Sequence, residues 1–169
     1  RYTGYKITEG KYSIEGLPAV YADSPEAQTL EVYLKDTASD ITVTLKYGVL
    51  PKLDIITRSA IIENKGESSI FLTNAASLCL DLPRDYNEWI HFHGRHTMER
   101  ITERLPLSHG IQESSSRRGT SSHQQNPAVI LCNKECTETQ GNCIGAMLMY
   151  SGSFSAKIEY DQLDQTRFV

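Results

Sequence analysis

The sequence has no long apolar run, no basic excess and very little tryptophan. Its hydrophobic stretches last only a few residues, far short of the roughly 20 that a membrane-spanning helix requires. The formal net charge is −4 and the pI near 5.7, so the positive footprint of a nucleic-acid binder is missing. One tryptophan and four phenylalanines leave little material for the aromatic platform of a stand-alone sugar-binding sandwich, although nine tyrosines keep that alternative open. No Asn-x-Ser/Thr sequon occurs, which fits a cytoplasmic home. There is also no G-x-S-x-G elbow and no glycine loop able to cradle a phosphate.

Cysteine is scarce. Cys132, Cys136 and Cys143 stand in a C-x₃-C-x₆-C spacing that matches none of the usual zinc patterns, so free thiols and no metal are expected. Cys132 and Cys143 flank a polar turn, and a disulfide between them needs an oxidising compartment. Cys79, within Ser-Leu-Cys-Leu-Asp, is expected to act as a small buried hydrophobe.

With 169 residues the chain suits one domain, 1–169, and is too short for a (β/α)₈ barrel of about 250 residues. It opens on Arg-Tyr-Thr-Gly and stops inside a strand-like run, so it reads as a fragment of a longer polypeptide. Thr29–Lys35 alternates cleanly, with Leu30, Val32 and Leu34 on one side, and Ile41–Tyr47 repeats the pattern after the turn at 36–40. The two make an antiparallel hairpin. Further strands are expected at 2–13, 53–63, 70–73, 76–82, 89–93, 128–132, 144–150, 154–160 and 167–169, with a turn at Gly16-Leu17-Pro18. Met98–Leu105 is ambiguous, because Met98, Ile101 and Leu105 have helical spacing while Thr97, Ile101 and Thr102 favour a strand. Short strands at regular spacing with no convincing helix predict an all-β, antiparallel β-sandwich.

The stretch Ser116–Pro127 stands apart. It holds two guanidiniums, an imidazole, four hydroxyls and three side-chain amides without a large apolar group. Gly119 and Asn126-Pro127 mark turns, so the stretch is a polar loop. Buried polar groups must be paired. Arg117, Arg118, His123, Gln124 and Asn126 are therefore expected to dock the loop, with Arg117 or Arg118, His123 and Asn126 withdrawn from solvent. His91-Phe92-His93, with His96 and Glu99 close behind, has the look of a cupin-type metal motif. The glutamate falls late for that motif and no glycine precedes the pair at the usual distance, so satisfied strand histidines are the preferred reading.

Several stretches, in order, resemble the amino-terminal domain of glycoside hydrolase family 36, the bacterial and fungal α-galactosidases. They include Gly16-Leu-Pro-Ala19, Glu26–Glu31, Ile56-Thr-Arg-Ser59, Leu80-Asp-Leu-Pro83, His93-Gly94 with Glu99-Arg100, Arg118-Gly119, Ser121-Ser-His-Gln124, Asn126-Pro127, Tyr150-Ser-Gly152 and Gln165-Thr-Arg167. The resemblance implies part of a β-supersandwich that precedes a catalytic barrel. It implies a retaining, cofactor-free hydrolase of terminal α-1,6-galactosides such as melibiose, raffinose and stachyose. Both catalytic aspartates would lie in the barrel, so no residue of this chain is expected to be catalytic. The implied partners are that barrel, a galactoside bound by the parent and further copies in a homo-oligomer. One departure falls at His93–Arg100, which resembles a family segment His-Gly-x-Trp-x-Arg-Glu-Arg. His96 occupies the position of that tryptophan, a sugar contact in the family. Two readings stay open there, a sugar contact kept in altered form and a surface histidine.

Overall fold

The computed structural model describes residues 1–17, 19–22 and 25–169. The chain is all-β with antiparallel pairing throughout, and it divides into two compact units, 1–78 and 79–169.

The first unit is one four-stranded sheet in chain order: β1 (Tyr2–Glu9), β2 (Gln28–Lys35), β3 (Ile41–Leu50) and β4 (Ile55–Asn64). The expected hairpin of β2 and β3 is its centre. Pairing fixes which residues share a face, because side chains alternate along a strand. One face carries the rows Tyr5–Val32–Leu45–Ala60, Ile7–Leu30–Tyr47–Arg58 and Leu34–Val43–Ile62. The other carries Lys6–Glu31–Lys46–Ser59 and Thr8–Thr29–Gly48–Thr57. On this polar face Lys46 Nζ lies 3.0 Å from Glu31 Oε1, and Tyr33 Oη donates to Glu31 Oε2 at 2.8 Å.

The segment after β1 folds over one end of that polar face. Gly10 O accepts a hydrogen bond from Thr29 Oγ1 at 2.8 Å, and the same hydroxyl accepts from Tyr12 N at 2.9 Å. Gly48 is required beneath it, since a Cβ there would lie 2.8 Å from Lys11 Cγ and 2.5 Å from Thr57 Oγ1. The expected turn at 16–18 is described only at Gly16 and Leu17; Pro18 lies outside the described residues. The strand at 53–63 starts later than expected because Pro51–Leu53 forms a 3₁₀ turn that ends with Asp54 at φ 51°. Residues 70–73 form no strand, and Phe71 there is 90% exposed.

The second unit is a small sandwich of two four-stranded sheets. One has the order β10 (Cys143–Met147), β9 (Gln125–Cys132), β6 (Glu88–Arg95), β7 (Met98–Pro106). The other runs β5 (Leu80–Leu82), β12 (Thr166–Phe168), β11 (Phe154–Tyr160), β8 (Gly110–Ser116). Phe154, Ala156 and Ile158 are buried while Ser155, Lys157 and Glu159 are not, the alternation of a strand with one solvated face. Trp89, His91, Val129 and Leu131 from the first sheet join Leu82, Phe154, Ile158 and Phe168 from the second in the core. Two buried hydroxyls are paired within it: Ser114 Oγ donates to Gln125 Oε1 at 2.9 Å, and Thr166 Oγ1 to Tyr86 O at 2.8 Å. Met98–Leu105 resolves as a strand. Cys79 is exposed, which corrects the expectation of a buried residue, and only residues 80–82 of the anticipated 76–82 strand pair.

Candidate functional site

The β6–β7 hairpin carries the most distinctive geometry. Arg95 pairs with Met98, so His96-Thr97 is a two-residue turn. Thr97 adopts φ 66°, a left-handed conformation that a β-branched residue rarely takes. Arg100 follows at φ 57°, at a bulge between His93 and Arg95 on the facing strand. Gly94 opposite admits no side chain, as a Cβ would sit 2.2 Å from Met98 O. The tip is fixed by its own polar groups: Glu99 Oε1 accepts from Thr97 N at 2.8 Å and lies 4.0 Å from His96 Nδ1. The His96 side chain is 91% exposed at the apex of a segment that also carries Arg95, Glu99 and Arg100. The arrangement can offer hydrogen bonds to a hydroxylated ligand from one side.

The base of the hairpin is pinned on both faces of β7, an edge strand whose residues are all exposed. On one face Glu103 Oε2 lies 3.1 Å from His91 Nε2 and 3.7 Å from His93 Nε2. His91 stacks on Trp89 with centroids 4.5 Å apart, and its burial pushes the imidazole pKa below its ordinary value against the opposing pull of Glu103. On the other face Arg104 Nε donates to Glu88 Oε2 at 2.5 Å. Its terminal nitrogens reach the carbonyls of Cys136 at 2.7 Å, Lys134 at 3.1 Å and Asn133 at 3.2 Å. That hydrogen bond to Glu88 raises the Arg104 pKa. Neither Glu103 nor Arg104 was singled out by the sequence. Only the register that sets Glu103 opposite His91 brings the cluster together, and the helix-or-strand ambiguity of 98–105 concealed that register.

The polar loop is docked, but by different groups from those expected. Arg117, Arg118, His123 and Gln124 are exposed, so the anticipated burial of an arginine and of His123 is corrected in this chain. Backbone and hydroxyls fasten the loop instead. Ser116 Oγ donates to Thr120 O at 2.6 Å, Ser121 N to Ser151 O at 2.8 Å, Ser121 Oγ to Tyr150 O at 3.1 Å and Gly119 N to Ser153 Oγ at 3.0 Å. Short hydroxyls reach nearby carbonyls without the entropy loss of ordering long side chains. Asn126, the second residue of β9, is half-buried, with Nδ2 enclosed and unpartnered.

Cys132 and Cys143 face each other across the β9–β10 pair, and all four cysteines are free thiols. Among the described residues, no group of three His, Cys, Asp or Glu is arranged to hold a metal ion.

A two-sheet antiparallel unit, a docked Ser-Ser-His-Gln-x-Asn-Pro loop and a hairpin displaying His96 define an all-β, antiparallel domain. Comparison with known proteins agrees. The profile of the glycosyl hydrolase family 36 N-terminal domain matches residues 1–169, and the chain belongs to that family. It is 51% identical over 168 residues to the bifunctional alpha-galactosidase/sucrose kinase AgaSK of Mediterraneibacter gnavus, covering 99% of this chain and 18% of that protein. It is 45% identical over 168 residues to alpha-galactosidase AgaA of Geobacillus stearothermophilus, covering 99% of this chain and 23% of the relative. The galactosidase domain of AgaSK superposes with a TM-score of 0.94 at 51% identity, over 99% of this chain and 23% of that one. AgaA superposes with 0.95 at 44% identity, over 99% and 24%. A variant of AgaA has been solved in complex with raffinose. The chain thus spans about a quarter or less of the relatives it matches end to end.

Proposed function

We propose that the chain is the non-catalytic amino-terminal portion of a retaining α-galactosidase acting on terminal α-1,6-linked galactose, as in melibiose, raffinose and stachyose. It packs on the catalytic barrel of the same polypeptide. Its two units belong to one amino-terminal domain, and the parent works as a homo-oligomer. The observation that carries this reading is the match over 99% of the chain to an alpha-galactosidase at 51% identity. The β6–β7 hairpin completes the substrate rim, presenting His96 to the galactoside at a barrel mouth. Backbone outliers such as Thr97 persist where surrounding structure holds them, and they cluster at ligand-contacting positions.

In this role His96 touches sugar without moving a proton, because the family position it occupies holds an uncharged tryptophan. The test is steady-state kinetics of the full-length parent on raffinose. His96→Ala is expected to raise KM several-fold with kcat nearly unchanged, the pattern of lost uniform binding. His96→Trp should keep KM at or below that of the wild type. Unchanged constants in His96→Ala would remove the hairpin from the rim.

A further inference from the structure

The thiol groups of β9, β10 and the turn between them play no part in the hairpin that displays His96. Cys132 of β9 pairs in register with Cys143 of β10, so both side chains leave the same face of the sheet. Just beyond them Asn133 N donates to Asn142 O at 3.2 Å, and at the other end of the pair Leu148 N donates to Pro127 O at 2.9 Å. Hydrogen-bonded and non-hydrogen-bonded positions alternate along an antiparallel pair, and both of these bonds give the same phase. Cys132 and Cys143 therefore fall at a non-hydrogen-bonded position, where opposed Cα atoms approach to about 4.5 Å. A disulfide spans Cα separations of about 4.4–6.8 Å. The two thiols are free and placed to be joined.

Their surroundings differ. Cys143 is exposed, whereas Cys132 is fully buried. Burial pushes the Cys132 thiol up, and the charge of Arg104 pulls it the other way. Cys136, the third thiol, is buried beside Cys132 and closed over by Gly141, where a Cβ would lie 2.5 Å from Cys136 Cα. A small oxidant in solution thus meets Cys143 first. We propose that Cys132 and Cys143 form a reversible modification site that exchanges with low-molecular-weight disulfides such as glutathione disulfide. The Cys143 thiolate attacks one sulfur of the small disulfide, whose S–S bond breaks as the mixed disulfide forms and one glutathione thiolate leaves. Cys132 then gives up its proton and attacks Cys143 Sγ, expelling the second glutathione. Each departing thiolate takes up a proton that a cysteine released. Two protein thiols are oxidised and one glutathione disulfide is reduced to two thiols, and excess small thiol reverses the sequence. The bond ties β10, an edge strand paired with β9 alone, to its neighbour across the 133–142 turn. This inference does not rest on the proposed hydrolase activity or on the role of His96.

The test is thiol mapping of the native full-length parent, reduced, freed of reductant, incubated with glutathione disulfide, quenched in acid, alkylated and digested with trypsin. Cleavage after Arg118, Lys134 and Lys157 puts Cys132 on one peptide and Cys136 with Cys143 on the next. The two peptides are expected to appear joined, two hydrogens lighter than their sum, with fragmentation placing the bond at Cys143. Dithiothreitol should separate them. Cys136→Ser should form the same pair, Cys143→Ser should form none, and Cys132→Ser should stop at the mixed disulfide of Cys143 with glutathione. A joined pair that survives in Cys143→Ser, or is lost in Cys136→Ser, overturns the inference and assigns the bond to Cys136. Unaltered protein that stays reduced, or halts at the mixed disulfide, overturns it as well. Because the readout is a mass rather than a turnover, a parent that cleaves no galactoside would refute the proposed function and leave this result intact.

Discussion

At Gly94 a single hydrogen atom decides whether the hairpin tip can form. A Cβ there would overlap the backbone oxygen of Met98, and backbone has no rotamer by which to yield. Gly94→Ala is therefore expected to destabilise the tip by about 1–3 kcal/mol, as overpacking does. Faster amide hydrogen exchange at residues 94–100 would show it; exchange at the wild-type rate would mean the bulge can relax. His91 acts through charge rather than shape. Its folded pKa lies below the ordinary 6.5, with burial as the main cause. The unfolded chain therefore binds more protons between the two values. Stability from this group is fully present above pH 6.5 and is lost as pH falls toward the folded pKa. Local exchange at the His91–Val129 pair should accelerate on going from about pH 7 to about pH 5 beyond its intrinsic change, and His91→Gln should flatten that response. An unaltered pH response in the variant would show that His91 is not its source.

Among the elements, β7 shows how an exposed edge strand is kept in place. The Arg104 fork bonds one carboxylate and three carbonyls, so the β6–β7 hairpin and the 133–136 turn are held by one planar group. A lysine cannot reproduce that fork. Arg104→Lys is expected to weaken the junction and to raise local exchange in the 133–136 turn. The measurement is hydrogen exchange at Cys136 and Thr137, whose amides bond Asn133 O and Gln140 O. Protection equal to wild type would show that the turn holds itself.

The same strand marks where the sequence stops being legible. Thr29–Lys35 and Ile41–Tyr47 announce themselves because one face is aliphatic and the other polar, a period-2 signal. Met98–Leu105 sends two signals, since an edge strand with no buried residue has no face to impose a period. Ile70–Leu72 look like a strand by composition, yet they pair with nothing, and pairing is not a local property. For the candidate site, the family segment and its missing tryptophan single out His96, which stands exposed in the two-residue turn between β6 and β7. The docking of 116–127 was legible as polarity but not as chemistry. The eye goes to arginine and histidine, whereas serine hydroxyls and backbone fasten the loop.

For the whole molecule, the proposed division of labour makes a plain forecast. Residues 1–169, purified alone, should hydrolyse no aryl α-galactoside, because double displacement needs a nucleophile and an acid/base on one rigid frame. Turnover above a mock-purified control would contradict it.

The first sheet's strand order has a consequence for how the protein is made. β1, β2, β3 and β4 each pair only with their neighbours in sequence. Such local pairing closes early and quickly compared with distant pairing. The meander can thus be complete as soon as its last strand clears the ribosome. At about 5–20 residues per second, a parent as long as the relatives then needs roughly tens of seconds more to finish. Throughout that interval the aliphatic face of a finished sheet stands bare on a nascent chain. That makes residues 1–78 a stretch where a chaperone that binds apolar surface would be expected to act during translation.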